Sequence, residues 1–404
     1  MKGENVAKAA HASHSVGMTK SLTLLFSIAG GIAVGNLYWV QPLLDYIGNA
    51  FHVSYSHAGL LVTLTQIGYA LGVLLLVPLG DSHDRRRLIP TIMAVSALAL
   101  MACAFAPTFS VLLASLFFVG LTTVTGQLLI PLAGDLAADH QRGKIVGTVV
   151  SGVLTGILAS RTVSGLVADA FGWRAIYVLA ALMTLALALI LLRSLPADQK
   201  RVAGSYPQLL GSIITVVRQH PTVQVTLILG AIGFSVFTLF WTGLTFLLSS
   251  APYGYSASQI GLVGLVGLAG ALAARRAGRL HDRGWSAGAT GGALLLVMVS
   301  LIIAEIGGSS ILAILAAVLL LDIAIQATNV LNQTRLFAVD VTARSRLNTA
   351  FVVSNFIGGA IGSSLAGTLW QLGGWSGITA GEMVLTGCAL LIWLVQRKRL
   401  RVLA

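Results

Sequence analysis

Four polar residues recur at helical spacing within one long apolar run near residues 310–334. They are Asp322, Gln326, Asn329 and Gln333, at offsets of 0, 4, 7 and 11. In an α-helix this spacing places all four on one face, about 16 Å long at about 1.5 Å per residue. Such a stripe avoids lipid and faces either neighbouring helices, where Asn and Gln often form hydrogen bonds, or a water-filled cavity. We expect a cavity, because Asp322 makes the stripe ionisable.

Two other apolar runs carry polar residues that could face the same cavity. Gln127 lies 202 residues before Asn329 (127 + 202 = 329), a separation that recurs elsewhere in the chain, so the two should occupy equivalent positions. Tyr38, Gln41 and Asp45 share one face of a helix predicted over 22–44. We expect Tyr38, Gln41 and Gln127 to contact a substrate. Hydrogen bonding between helices would explain Gln127 equally well.

An aromatic stripe and two charged residues within apolar runs complete the candidates. The stripe consists of Phe234, Phe237, Trp241 and Thr245, and it provides either ordinary packing or a platform for a substrate. Arg161 either snorkels to lipid headgroups, pairs with Asp322, or binds an anionic group of a substrate. Glu382 lies in the last apolar run and is expected to be mostly structural.

The composition of the chain explains why these few polar residues are informative. Apolar residues make up 56% of its 404 residues and charged residues only 9%, where a soluble protein carries about 25% charge. The net charge of +12 does not indicate nucleic-acid binding, because the basic residues form short clusters between apolar runs. The two cysteines provide no disulfide framework and no metal spacing. The sequence therefore predicts an integral membrane protein.

Twelve apolar runs are long enough to cross a bilayer, which requires about 20 helical residues. They lie near 22–44, 56–79, 88–106, 108–134, 145–168, 174–194, 222–249, 258–275, 286–305, 310–334, 347–370 and 376–395. The first run is a full span with no cleavage site after it, so we do not expect a signal peptide. The predicted fold class is an all-α membrane protein with twelve transmembrane helices.

The distribution of basic residues predicts the orientation of these spans. If the N-terminus is cytoplasmic, every Lys and Arg falls on the cytoplasmic side except Arg161 and Arg174. One miscounted span would invert all later loops and destroy this agreement. Both termini are therefore expected in the cytoplasm.

The chain also contains an internal repeat with a spacing of about 201–203 residues. Asp81 corresponds to Asp282, VVSG at 149–152 to VVSN at 352–355, and Gly165 to Gly367. The predicted organisation is a tail (1–21), a six-helix bundle (22–194), a cytoplasmic linker (195–221), a second six-helix bundle (222–396) and a second tail (397–404). Six spans per half make the repeats parallel, and substrate sites in such folds lie near the membrane midplane between the halves.

These features resemble the major facilitator superfamily, and the resemblance covers essentially the whole chain. NLYWVQPLL, GYALGVLLLVPLGD, RGKIVGTVVSGVLTGILASRTVSG, NQTR and RLNTAFVVSNFIGGAIGSSLAG are similar to segments of bacterial drug:proton antiporters. The loop signature G-x-L-x-D-R-x-G-R-R is matched by Gly278, Leu280, Asp282 and Arg283, whereas the first half departs from both of its glycines. Ser115 stands where the antiporters have an arginine in span 4, and their G-P-x-x-G-G motif in span 5 is absent.

The resemblance implies a gate at the cytoplasmic ends of spans 2, 4 and 8. Its candidate residues are Asp81, Arg85, Arg86, Asp135, Asp282 and Arg283. In the superfamily such charged pairs hold the inner mouth shut, and spans 1, 4, 7 and 10 line the cavity. One exposed ion pair contributes only about 0–1 kcal/mol, so several must act together. Holding the loops in the cytoplasm is a further role for these charges.

We expect a transporter without enzymatic activity and without cofactors. All eight histidines lie in tails, loops or span ends, and no G-x-x-x-x-G-K-[ST] loop occurs. The resemblance favours proton-coupled export of a small, mostly apolar compound by a monomer in the bacterial inner membrane, with Asp322 as the coupling group. Proton-coupled uptake, uncoupled transport and a membrane sensor without transport are the alternatives.

Overall fold

The computed structural model describes residues 18–196, 206–267, 286–340 and 342–400, and the regular elements in these residues are all helical. The helices are α1 (Lys20–Gly35), α2 (Leu44–Ala50), α3 (Tyr55–Leu75), α4 (Leu79–Ser82), α5 (Arg85–Ala104), α6 (Phe109–Thr122), α7 (Thr125–Leu136), α8 (Arg142–Phe171), α9 (Trp173–Ser194), α10 (Tyr206–Gln219), α11 (Pro221–Ser249), α12 (Ala257–Val263), α13 (Ser286–Ile306), α14 (Ile311–Val339) and α15 (Arg344–Gln396).

Most of the helices lie within the predicted apolar runs, whereas α10 lies in the predicted linker 195–221. Within the described residues, nine stretches are long and apolar enough to cross a membrane, and α1 and Ala257–Val266 are shorter apolar helices. One of the nine, α15, has non-helical backbone at Gly373 and Gly374, so it contains both of the last two predicted runs. The eighth predicted run is described only as far as Gly267.

The prediction of one continuous helix over 22–44 is wrong. α1 ends at Gly35, turns follow, and Gln41–Leu43 form a 3-10 helix before α2. Pro42 has no N–H to donate to Tyr38, and the Gln41 N–H bonds that carbonyl instead, at 3.2 Å. Tyr38, Gln41 and Asp45 therefore do not share an α-helical face, and the Asp45 side chain accepts a hydrogen bond from Asn49, away from the other two.

The two halves of the chain are in close contact at one end of the helices. We call this the far end, and we call the opposite end, with Arg85–Arg87 and Arg142, the basic end. A Cβ added to Gly165 would fall on the backbone of Ala257 and Ser258, and one added to Gly367 would fall on the backbone of Ser56. The two contacts are related by the internal repeat, since Ser56 and Ser258 are 202 residues apart (56 + 202 = 258). Glycine at both positions allows the halves to approach backbone to backbone.

Candidate functional site

A cavity of about 220 Å³ lies between the two halves, and we call it the central cavity. Six of the predicted site residues line it: Tyr38, Gln127, Arg161, Asp322, Gln326 and Asn329. Its other walls are largely apolar, with Phe234, Phe237 and Phe356 among the lining side chains. The cavity therefore combines aromatic surface with a few polar groups, which is typical of sites for small organic molecules.

The polar stripe of α14 forms one wall of the central cavity. Asp322, Gln326 and Asn329 line the cavity, and Asp322 is only 6% exposed. Gln333, one turn beyond Asn329, instead donates a hydrogen bond to Asn348 of α15 at 3.0 Å. The helical spacing thus brings three of the four residues to the cavity, and the fourth connects two helices.

Arg161 is buried in the wall of the cavity and does not snorkel to the lipid headgroups. Only 3% of the surface of Arg161 is exposed, and its Nε donates a hydrogen bond to Gln41 Oε1 at 2.7 Å. The guanidinium carbon lies 3.8 Å from the centre of the Trp241 ring, with the Tyr38 and Phe237 rings at 5.5 and 5.7 Å. Aromatic faces attract cations, so these rings compensate part of the cost of burying the charge.

Trp241 contacts both charged groups of the cavity. Its ring face lies against Arg161, and its Nε1–H donates to Asp322 Oδ1 at 3.4 Å. Arg161 and Asp322 both lie in the described part of the chain, and no ion pair within 4.0 Å joins them. The direct pairing considered from the sequence is therefore not formed. Arg161 Nη2 is buried and has no hydrogen-bond partner among the described groups.

Two of the predicted substrate ligands, Gln41 and Trp241, do not line the central cavity. Gln41 accepts the Arg161 hydrogen bond, and its backbone oxygen accepts a hydrogen bond from Thr245 at 3.1 Å. Trp241 and Thr245 belong to the second half and Gln41 to the first, so these contacts connect the halves beyond the cavity. The aromatic stripe of α11 is thus divided: Phe234 and Phe237 line the cavity, and its other two residues join the halves.

Tyr69 and Phe356 line the cavity and were not predicted from the sequence. Their ring centres are 4.3 Å apart, and the Tyr69 hydroxyl accepts a hydrogen bond from Gln127 at 3.2 Å. Gln127 also accepts a hydrogen bond from Asn348 at 3.5 Å. Each is the single residue of its helix that lines the cavity, so no helical pattern marked it as a cavity residue.

The charged cluster at the basic end is centred on Arg85, which is 4% exposed. Its guanidinium donates to Gly80 O at 2.8 Å, Asp135 Oδ2 at 2.9 Å and Asp81 Oδ1 at 3.4 Å. These contacts all lie within the first half, so they tie α4, α5 and α7 together. Arg86 is exposed. Asp282 and Arg283, the other predicted gate residues, lie outside the described residues.

Glu382 is fully buried on α15, away from the residues that line the central cavity. Neither of its carboxyl oxygens has a hydrogen-bond partner within the described part of the chain. A carboxyl group in this environment is unfavourable when ionised. The structural role expected from the sequence stays a prediction.

The fold and cavity define a helical membrane protein of the transporter class, and the comparisons with known proteins identify its family. The family model described as Major Facilitator Superfamily matches residues 26–339. The chain belongs to this superfamily of secondary transporters, is a multi-pass membrane protein, and is not an enzyme.

Several relatives are similar over most of their length. The uncharacterized transporter YgaY of Escherichia coli O157:H7 is 41% identical over 93% of this chain and 95% of its own. A probable transporter of Streptomyces coelicolor, SCO4007, is 34% identical over 88% of this chain and 83% of its own.

Solved structures support the same fold. A bacterial homologue of the human lysosomal transporter Spinster, in an inward-facing and occupied conformation, superposes with a TM-score of 0.73 at 15% identity, over 94% of this chain and 95% of that chain. A variant of the nucleoside transporter NupG has a TM-score of 0.75 at 13% identity, over 93% and 99% of the two chains. At these identities the similarity concerns the fold alone.

Proposed function

We propose that this transporter couples the export of a small, mostly apolar compound to protons, through Asp322. The observation that carries the proposal is an ionisable carboxyl group in the wall of a cavity that residues of both halves line. Intramembrane carboxylates in such positions often serve as proton sites. The aromatic walls suit an apolar substrate, and Tyr38, Gln127, Arg161, Gln326 and Asn329 supply its polar contacts.

The proposed mechanism is alternating access by two six-helix halves, 22–194 and 222–396, that rock against each other. In this arrangement the chain crosses the bacterial inner membrane twelve times as a monomer with both termini in the cytoplasm. The contacts of Arg161 and Gln41 with the second half must break when the cavity opens at the far end. In the proposed exchange, Asp322 binds a proton while the cavity faces outward and releases it while the cavity faces inward. The substrate binds in the inward-facing state and leaves in the outward-facing state, so its export is linked to the proton gradient.

The basic-end cluster is proposed to contribute to the cytoplasmic gate by keeping the inner end of the first half rigid. Arg85, Asp81 and Asp135 hold three segments of the first half in one rigid unit. We propose that Asp282 and Arg283 have the same gating role in the second half, because the repeat aligns Asp282 with Asp81. A rigid unit at the cytoplasmic end of each half would let that half move as one rigid body.

A screen of small compounds in proteoliposomes with an imposed pH gradient tests the function. We expect at least one compound to be moved against its concentration gradient only while the pH gradient exists. Flux that follows the compound's own gradient and ignores pH would favour uncoupled transport. Accumulation together with protons would favour uptake, the direction left open by the missing antiporter motif of span 5.

A further inference from the structure

Two adjoining cavities follow the outer seam between the halves, where α3 packs against α15. They measure about 430 and about 360 Å³ and share Leu74, Val353 and Ile357. We call the two together the seam groove. Except for Thr63, Ser354, Ser364 and Arg218, its lining residues are aliphatic, including Ile67, Leu71 and Ile361. Its walls therefore complement a hydrocarbon chain rather than a polar ligand.

The helix α10 closes the groove toward the basic end. The Tyr206 hydroxyl donates a hydrogen bond to Leu75 O at 2.6 Å and so holds the start of α10 against α3. Ile213, Ile214 and Val217 turn their side chains to the groove. An amphipathic helix between two membrane-spanning helices is well suited to the membrane interface.

Arg218 provides a charge at the end of the apolar groove. It lies in the last turn of α10, lines the groove and is exposed. Within the described residues no Asp or Glu forms an ion pair with it. A guanidinium at this point offers paired N–H donors to a phosphate at the membrane surface.

We propose that the seam groove binds an anionic phospholipid, with an acyl chain against α3 and α15 and its phosphate at Arg218. The apolar walls and the cation follow one another along the groove in the same order as the chain and headgroup of such a lipid. Basic residues next to membrane helices attract anionic headgroups. The groove has one wall from each half, α3 and α15. A bound lipid therefore also stabilises the conformation in which these two helices are packed together.

Native mass spectrometry of the purified full chain tests this proposal. The protein in detergent is mixed with phosphatidylglycerol or with phosphatidylcholine of the same acyl chains, and the bound lipids are counted. We expect phosphatidylglycerol to bind about fivefold better, the effect of one basic residue near an anionic headgroup. Equal binding of the two lipids to the unaltered protein contradicts the proposal.

Two variants with matched controls locate the site. Arg218→Gln should remove the preference for phosphatidylglycerol, and Arg193→Gln, at an exposed arginine at the end of α9, should keep it. Ile357→Trp fills the groove and should lower binding of both lipids, whereas Leu98→Trp, at an exposed site outside it, should not. Arg218 is on the surface, so its variant should fold. An unchanged lipid preference in Arg218→Gln overturns the proposal, whatever Ile357→Trp does.

Discussion

The contact between Arg161 and Trp241 should control how readily the far end opens. Arg161 belongs to the first half and Trp241 to the second, and the guanidinium lies 3.8 Å from the ring centre in a buried site. A desolvated cation–π contact contributes about 2 kcal/mol. Because the contact is made only while the halves are together at the far end, Trp241→Leu should lose this amount from the closed state alone. The ratio of open to closed molecules should then rise about 30-fold.

Cysteine labelling measures this change. Cys103 and Cys388 are the two free cysteines and are first replaced by Ala and Ser. Ala257→Cys then places one thiol at a fully buried far-end position, against Gly165 of the other half. A membrane-impermeant maleimide reaches it only in the open state, so its rate of labelling follows the open fraction. While the closed state predominates, the open fraction is proportional to the open-to-closed ratio, so the rate should rise about 30-fold in Trp241→Leu.

Trp241→Phe is the matched variant, because it keeps an aromatic face over the guanidinium but loses the N–H that donates to Asp322. Its labelling rate should lie between those of the parent and Trp241→Leu. A labelling rate in Trp241→Leu equal to that of the parent would refute the assignment of the contact to the closed state.

Three further predictions concern stability and the roles of other buried groups. Arg85→Gln should lower the free energy of unfolding by about 1–2 kcal/mol, since it loses charged hydrogen bonds to partly exposed carboxylates, while Arg86→Gln should leave it unchanged in the same denaturation assay. Gly156→Leu places a side chain on the backbone of α1 and should lower the thermal midpoint, whereas Gly147→Leu, which has open space, should not. Glu382→Leu should unfold no more easily than the parent and should transport at its rate, because it removes an unpartnered carboxyl outside the cavity; lost transport would mean that Glu382 has a functional role.

Residue spacing predicted the parts of the site that depend on a single helix. The intervals between Asp322, Gln326 and Asn329 fix their common face whatever surrounds α14, and the structure places all three at the cavity. The 202-residue repeat likewise indicated that Gln127 and Asn329 face a shared space, and both line it.

Contacts between segments distant in sequence could not be predicted in this way. Arg161 offered several interpretations because its neighbours come from two distant segments, 38–41 and 237–241. Only their packing places Gln41 at its Nε and Trp241 over its face. Tyr69 and Phe356 meet across the halves and have no pattern of their own. The end of α1 at Gly35 also depends on local hydrogen bonds, which the spacing of residues does not show.

The central claim is that Asp322 couples protons to transport, and proton flux in proteoliposomes tests it most directly. With a compound found by the screen and a pH-sensitive dye inside the vesicles, the parent protein should move protons when the compound is added. Asp322→Asn keeps the shape of the side chain but cannot exchange a proton, so it should fold with the same thermal midpoint and show no coupled proton movement. Asp340→Asn, at the end of the same helix and outside the cavity, should behave as the parent does. Full gradient-driven flux in Asp322→Asn would contradict the account.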